Sequence, residues 1–152
     1  MDNQSWPEPV TVAEHEGLGF KRVVESGGWA VALKNHRPLG DIDHLTSLQR
    51  HLMSDEVFTL LGGSGILVID RSSDQSGSDI GLMPMEKGKV YCIHKGVWHA
   101  TLGSEGIKLL IVEDRATSKE NSETYQLRPD QITFLTREFQ AKYAALLSQN
   151  LD

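Results

Sequence analysis

What most constrains this chain is a succession of short apolar runs between Phe20 and Glu113, each closed by glycine, proline or serine. Runs of this length with turn signals about every 8 to 12 residues imply antiparallel strands in a sandwich or barrel. The expected strands are Phe20 to Glu25, Trp29 to Lys34, Leu45 to His51, Glu56 to Leu61, Gly65 to Asp70, Asp79 to Met85, Lys89 to Ile93, Val97 to Leu102 and Gly106 to Glu113. Ser26-Gly27-Gly28 and Gly62-Gly63-Ser64 supply the positive φ angles that tight hairpins need. Asn35 to Asp43, with Pro38 and Gly40, reads as loop, as does the serine-rich Arg71 to Ser78.

The ends differ from the middle. Residues 1–19 carry Pro7, Pro9, Gly17 and Gly19 among polar residues and read as an arm, with at most a short edge strand around Val10 to Ala13. The barrel spans 20–114. Residues 115–152 are read as a polar linker, Arg115 to Thr124, followed by one amphipathic helix. Its stripe is Ile132, Leu135, Phe139, Leu146 and Leu147, with Pro129 and Asp130 in the first turn.

At 152 residues the chain makes one domain with a substantial core. The 15 basic and 21 acidic residues give a net charge of -6 without a basic run, which argues against a nucleic-acid partner. No apolar run reaches the roughly 20 residues of a membrane helix, so no membrane partner is expected. One cysteine, Cys92, and a polar start without a signal peptide fit a reducing compartment, the cytoplasm.

Chemistry concentrates in two stretches, Gln49 to Gly63 and Gly88 to His99. Gln49 and His51 share a strand face, and Glu56 opens the next strand within folding-back reach of His51. If His99 joins them, two imidazoles and a carboxylate suit Zn, Mn, Fe, Co or Ni and leave positions open for substrate or water. His-x4-Glu alone is a weak pattern, better accounted for by a hydrogen-bonded edge histidine and a solvated turn glutamate. The agreement of both stretches, in order and about one hairpin apart, is what makes a metal centre the working expectation.

His51, Glu56 and Gly63 match the first motif of the cupin superfamily, and Gly88, Gly96 and His99 its second, so residues 45–113 resemble that superfamily. The resemblance implies an antiparallel jelly-roll barrel with a C-terminal α-helix, often a homodimer, with one metal in the barrel mouth. Gln49 stands where the motif has its first histidine, His94 replaces its proline, and Gly103 its asparagine. A glutamine oxygen is the poorer ligand, so the metal set is His51, Glu56 and His99, with Gln49 the weakest member. Gln49-Arg50-His51 and Lys89 to His99, above all Val97-Trp98-His99, also resemble ureidoglycolate lyases, although those lack the acidic ligand at Glu56.

Around the ligands, His94 is the candidate proton carrier. Phe58, Tyr91 and Lys95 are candidate substrate-binding residues, Lys95 for an anionic group. By strand parity Arg50 faces away from His51, and Trp98 packs against the tail or a partner. Cys92 reads as a buried small hydrophobe, and His15, His36 and His44 as loop residues without a role. Three functions are compatible with this set. The first is a metal-dependent lyase or isomerase acting on a small carboxylate-bearing metabolite, the second a ferrous-iron dioxygenase, and the third a barrel that binds a sugar or small acid without metal or turnover.

Overall fold

The computed structural model describes residues 9–37 and 40–148. Pro7 of the arm, Pro38 of the loop, the end of the tail and the side chain of Leu147 lie outside that description. Ten strands form two antiparallel sheets. The first sheet runs in the order β1 (Phe20–Ser26), β2 (Trp29–Asn35), β9 (Lys108–Asp114), β4 (Glu56–Gly62), β7 (Val90–Ile93). The second runs β10 (Ser122–Gln126), β3 (Ser47–His51), β8 (His99–Gly103), β5 (Gly65–Asp70), β6 (Ile80–Pro84). The nine strands expected from sequence are present, and their bounds shift by no more than two residues at either end.

Alternation decides what each sheet face covers. Phe58, Leu60, Leu109 and Ile111 of the first sheet meet Leu67 of the second, filling the space between the sheets. Leu48, Ile66, Val68 and Leu102 point the other way and meet Leu127, Leu135 and Phe139 of the tail. Burying residues of this size contributes about 2 kcal/mol each. The tail therefore covers a sheet face that would otherwise be wet.

The arm forms no strand at Val10 to Ala13, within the expectation of at most a short one. Two expectations need correction. The linker read over Arg115 to Thr124 ends inside β10, which pairs along β3 from Ser122 opposite His51 to Gln126 opposite Ser47. Its sequence, SETYQ, is polar because it is an edge strand with little buried surface. The single tail helix is two, α1 (Pro129–Lys142) and α2 (Ala144–Ser148), broken at Tyr143, which leaves helical backbone at φ -129°. Pro129 does open α1, and Gln131 Oε1 accepts the Arg128 N–H at 3.0 Å. No described helix is long and apolar enough to cross a membrane.

Two glycines are required by geometry. Gly63 has φ +64°, and a Cβ there would stand 2.5 Å from the Gly106 backbone. Gly96 has φ +84°, and its N–H donates to the His51 carbonyl at 2.7 Å. That bond joins the turn before His99 to the end of the strand carrying His51, so the two chemistry-bearing stretches touch directly.

The loop after β5 is organised by Asp70, which is buried. Its carboxylate accepts from Ser72 N at 2.9 Å, Ser72 Oγ at 2.5 Å and Gly77 N at 2.8 Å, and Gly77 O in turn accepts from Gln131 Nε2 of α1. Burial pushes the carboxyl up, but these donors outweigh it and hold its pKa below the ordinary aspartate value. Asp70→Ala is expected to cost about 2 kcal/mol in urea unfolding at neutral pH. Because the folded pKa is depressed, that contribution is present above the unfolded aspartate pKa and lost as pH falls through the folded one. The wild-type and variant melts should therefore converge in acid.

Candidate metal centre

His51 ends β3, Glu56 opens β4 and His99 opens β8, so three strands from two sheets deliver one side chain each to the same point. The three are 9%, 4% and 1% exposed. Glu56 Oε2 stands 3.2 Å from His51 Nε2 and 2.9 Å from His99 Nε2. Two donors about 2.1 Å from a common ion at 90–110° are roughly 3.0–3.4 Å apart, so the spacing suits a bound divalent metal. Phe58 sets its ring edge to face against His99, with centroids 6.0 Å apart.

The outer ring nitrogens test the fit. His99 Nδ1 lies 2.9 Å from the Val97 carbonyl, which can only accept, so Nδ1 carries the proton. In the neutral ring the Nε2 lone pair then faces a carboxylate oxygen, two acceptors that need positive charge between them. His51 Nδ1 is likewise engaged, by Ser122 Oγ at 2.8 Å. Imidazoles whose far nitrogens are fixed while their near nitrogens converge on a carboxylate form the arrangement in which histidine holds metals. At His51, hydrogen bonding to Glu56 raises the pKa against the effect of burial. Burial pushes Glu56 up, yet the two imidazoles bring it down to about 2.

The triad lies in the wall of a cavity of about 970 Å³. Gln49, opposite His99 in the strand register, also lines the cavity, but it is exposed and its side chain makes no hydrogen bond among the described residues. Phe58 lines the cavity as expected. His94, Tyr91 and Lys95 are not among its lining residues. His94 and Lys95 follow β7 at the sheet edge and are exposed beside Asp55, and the Tyr91 hydroxyl accepts the Glu86 N–H at 2.8 Å. Cys92 is exposed rather than buried, because β7 is an edge strand and Ile93 takes its inward position. His44, read as without a role, lines the cavity. Arg50 does face away, stacking over Trp98 at 4.3 Å, and Trp98 packs with the tail.

The cavity holds charged residues that the sequence reading passed over. Lys34 Nζ donates to Thr101 Oγ1 at 2.6 Å, and neither Lys34 nor Arg37 has a carboxylate partner among the described residues. Burial of its head group, helped by the positive charge of Arg37, lowers the Lys34 pKa to about 8. Glu113 is buried beside Glu56 in the strand register and accepts from Arg22 Nε at 2.8 Å. Burial raises its pKa above the ordinary glutamate value even though Arg22 pulls the other way.

Two rolled antiparallel sheets enclosing the site find likenesses among solved structures. Pac13, a nucleoside dehydratase of Streptomyces described as a β-barrel, aligns over 76% of this chain and 86% of its own at 11% identity, with a TM-score of 0.52. The fold is an antiparallel jelly-roll barrel with a helical C-terminal tail. A uridine-bound Pac13 variant gives the same TM-score over 76% of this chain and 85% of its own at 11% identity. A cupin-2 domain protein of Shewanella frigidimarina aligns over 67% of this chain and 85% of its own at 19% identity, with a TM-score of 0.48. No family model and no curated protein matches the sequence. The jelly roll explains why residues so far apart in the chain meet: each sheet supplies one wall of the cavity.

Proposed function

We propose that the barrel is a metal-dependent enzyme acting on a small carboxylate-bearing metabolite by lyase or isomerase chemistry. The observation that supports this is a buried His51, Glu56, His99 set in a cavity that also holds two cations without carboxylate partners, Lys34 and Arg37. A divalent metal held by the three would polarise a substrate carbonyl or hydroxyl as a Lewis acid. Thr101 lies two residues beyond His99 on the same face of β8, about 7 Å along the strand, and holds the Lys34 ammonium. A small acid spans that distance with its carboxylate at Lys34 and Arg37 and its reacting oxygen beside the triad.

Glu113 takes the proton-carrying role first assigned to His94. It is the cavity carboxyl whose pKa is raised toward the working range, and Arg22 fixes one of its oxygens. Glu113→Gln should remove the acid limb of the pH–rate profile without changing metal content. Within the lyases, a ureidoglycolate-lyase-like activity is the finer reading, since a small acid is what Lys34 and Arg37 would hold. The exposed, unpaired Cys92 suits a cytoplasmic protein. Val31, Leu33, Val57, Leu110 and Val112 give the first sheet an apolar outer face, for which a second copy of the chain is the proposed cover.

The test is to load the protein with Mn, Zn or ferrous iron and follow a panel of small hydroxy and oxo acids by NMR, with oxygen recorded. Turnover without oxygen uptake supports the proposal. Two imidazoles and one carboxylate are also the facial set of ferrous oxygenases, and oxygen consumption would select that reading. Ligand binding without turnover, unchanged by His51→Ala and His99→Ala, would make the barrel a binding protein.

A further inference from the structure

A second cluster of metal-ligating atoms lies at the surface, on residues next to the interior set. Asp55 sits in the turn before β4, Cys92 on β7 and His94 just beyond it, and Cys92 is opposite Val57 in the strand register. Cys92 Sγ is 3.8 Å from Asp55 Oδ2 and 4.0 Å from His94 Nδ1, and those two atoms are 3.3 Å apart. Ligands on a tetrahedral zinc at about 2.0–2.3 Å stand roughly 3.3–3.6 Å from one another. Closing the triangle onto an ion needs movements of only a few tenths of an ångström.

The same three residue types could instead suggest a nucleophilic cysteine with a base and an orienting acid, but the geometry contradicts it. Such a relay uses both ring nitrogens of the histidine, one toward the thiol and one toward the acid. Here the sulfur and the carboxylate oxygen face one and the same nitrogen, Nδ1. Burial and the neighbouring Asp55 also push the thiol pKa up, the wrong direction for a free nucleophile. Three donor atoms that each face the other two enclose a point.

Asp55 is held for this purpose by its other oxygen. Oδ1 accepts the Lys95 backbone N–H at 2.8 Å, which turns Oδ2 toward Cys92 and His94. A ligating carboxylate fixed by a backbone donor is a usual second layer around a bound metal. The set combines sulfur, nitrogen and oxygen, which favours zinc or cobalt over magnesium or calcium.

We propose that Asp55, Cys92 and His94 bind a borderline divalent cation of the zinc type, with water completing the coordination and the Cys92 proton released to solvent. The site is separate from the interior one and does not depend on the proposed enzyme activity. Occupancy would tie the turn that leads into Glu56 to the turn that leads to Gly96 and His99.

Cobalt titration of the reduced full chain tests it, because the interior donors include no sulfur. The expected result is thiolate-to-cobalt absorption in the near ultraviolet, saturating at a single cobalt per chain where Glu56→Gln disables the interior set. It should vanish in Cys92→Ser, shift to about tenfold weaker affinity or worse in His94→Ala and Asp55→Asn, and persist in Glu56→Gln. No thiolate absorption in the wild-type chain would overturn the proposal. So would absorption that His94→Ala and Asp55→Asn leave at wild-type affinity.

Discussion

Replacing His99 with alanine is expected to weaken divalent metal binding in the barrel by at least about 100-fold, since the change removes a direct ligand and exceeds the usual effect of losing an outer partner. Metal content after dialysis against manganese or zinc is the measurement, made on a Cys92→Ser background so that the surface cluster does not contribute. Thermal unfolding gives an independent reading, because metal at a thousand times the wild-type Kd should stabilise the wild-type fold by about 4 kcal/mol and a variant weakened 100-fold or more by at most about 1.4 kcal/mol. Retention of metal by His99→Ala at wild-type affinity would reduce the triad to a buried polar cluster. The metal-free protein should also show a pH signature. Hydrogen bonding to Glu56 raises the folded pKa of His51, so its contribution is fully present below the unfolded histidine pKa and lost as pH rises through the folded one. Metal replaces the proton as the positive charge between the imidazoles and Glu56, so loaded protein should not show that loss.

The meeting of His51, Glu56 and His99 was legible because two stretches agree in order and spacing: one residue ends a strand, the next opens a strand, and a glycine turn precedes the third. That β8 lies beside β3, which brings His99 to the other two, was implied only by the resemblance to a jelly roll. Lys34 and Glu113 were not legible in that way, because their inward direction and their neighbours depend on how β2, β9 and β4 align. A signal was nonetheless present. Ala30, Ala32 and Lys34 form one alternating series and Leu109, Ile111 and Glu113 another, each ending an inward face in a charge. A charge that closes a buried series has left the packed core and reached the part of the barrel that holds water or substrate. His94, Tyr91 and Lys95 fall outside the cavity lining for the complementary reason: nearness to His99 in the chain says nothing about which side of an edge strand a turn follows. β10 stayed hidden because an edge strand with polar faces carries almost no alternation.

Lys34→Met should change function and stability in opposite directions. In the folded chain the lysine is half-buried, but its ammonium is desolvated and faces the charge of Arg37, which lowers its pKa to about 8. The unfolded chain restores a value near 10.4, so between those two values the unfolded state binds the extra proton. Wild-type stability relative to the variant therefore carries its full deficit below about pH 8 and recovers as pH rises toward the unfolded value. A thioether of similar length removes the buried charge and is expected to gain on the order of 2 kcal/mol at neutral pH, less whatever the Thr101 hydrogen bond contributed. Urea melts at pH 7 and pH 10.5 should show the gain at the first and little at the second. Binding should move the other way. If the ammonium receives a substrate carboxylate, its loss removes a charge-assisted hydrogen bond of about 1.5–3 kcal/mol, weakening binding of small acids by roughly 10- to 100-fold. Metal content should not change, which separates this effect from damage to the triad. A variant that is more stable, keeps its metal and binds small acids as tightly as wild type would show that Lys34 is a structural charge and that the anion is held elsewhere in the cavity.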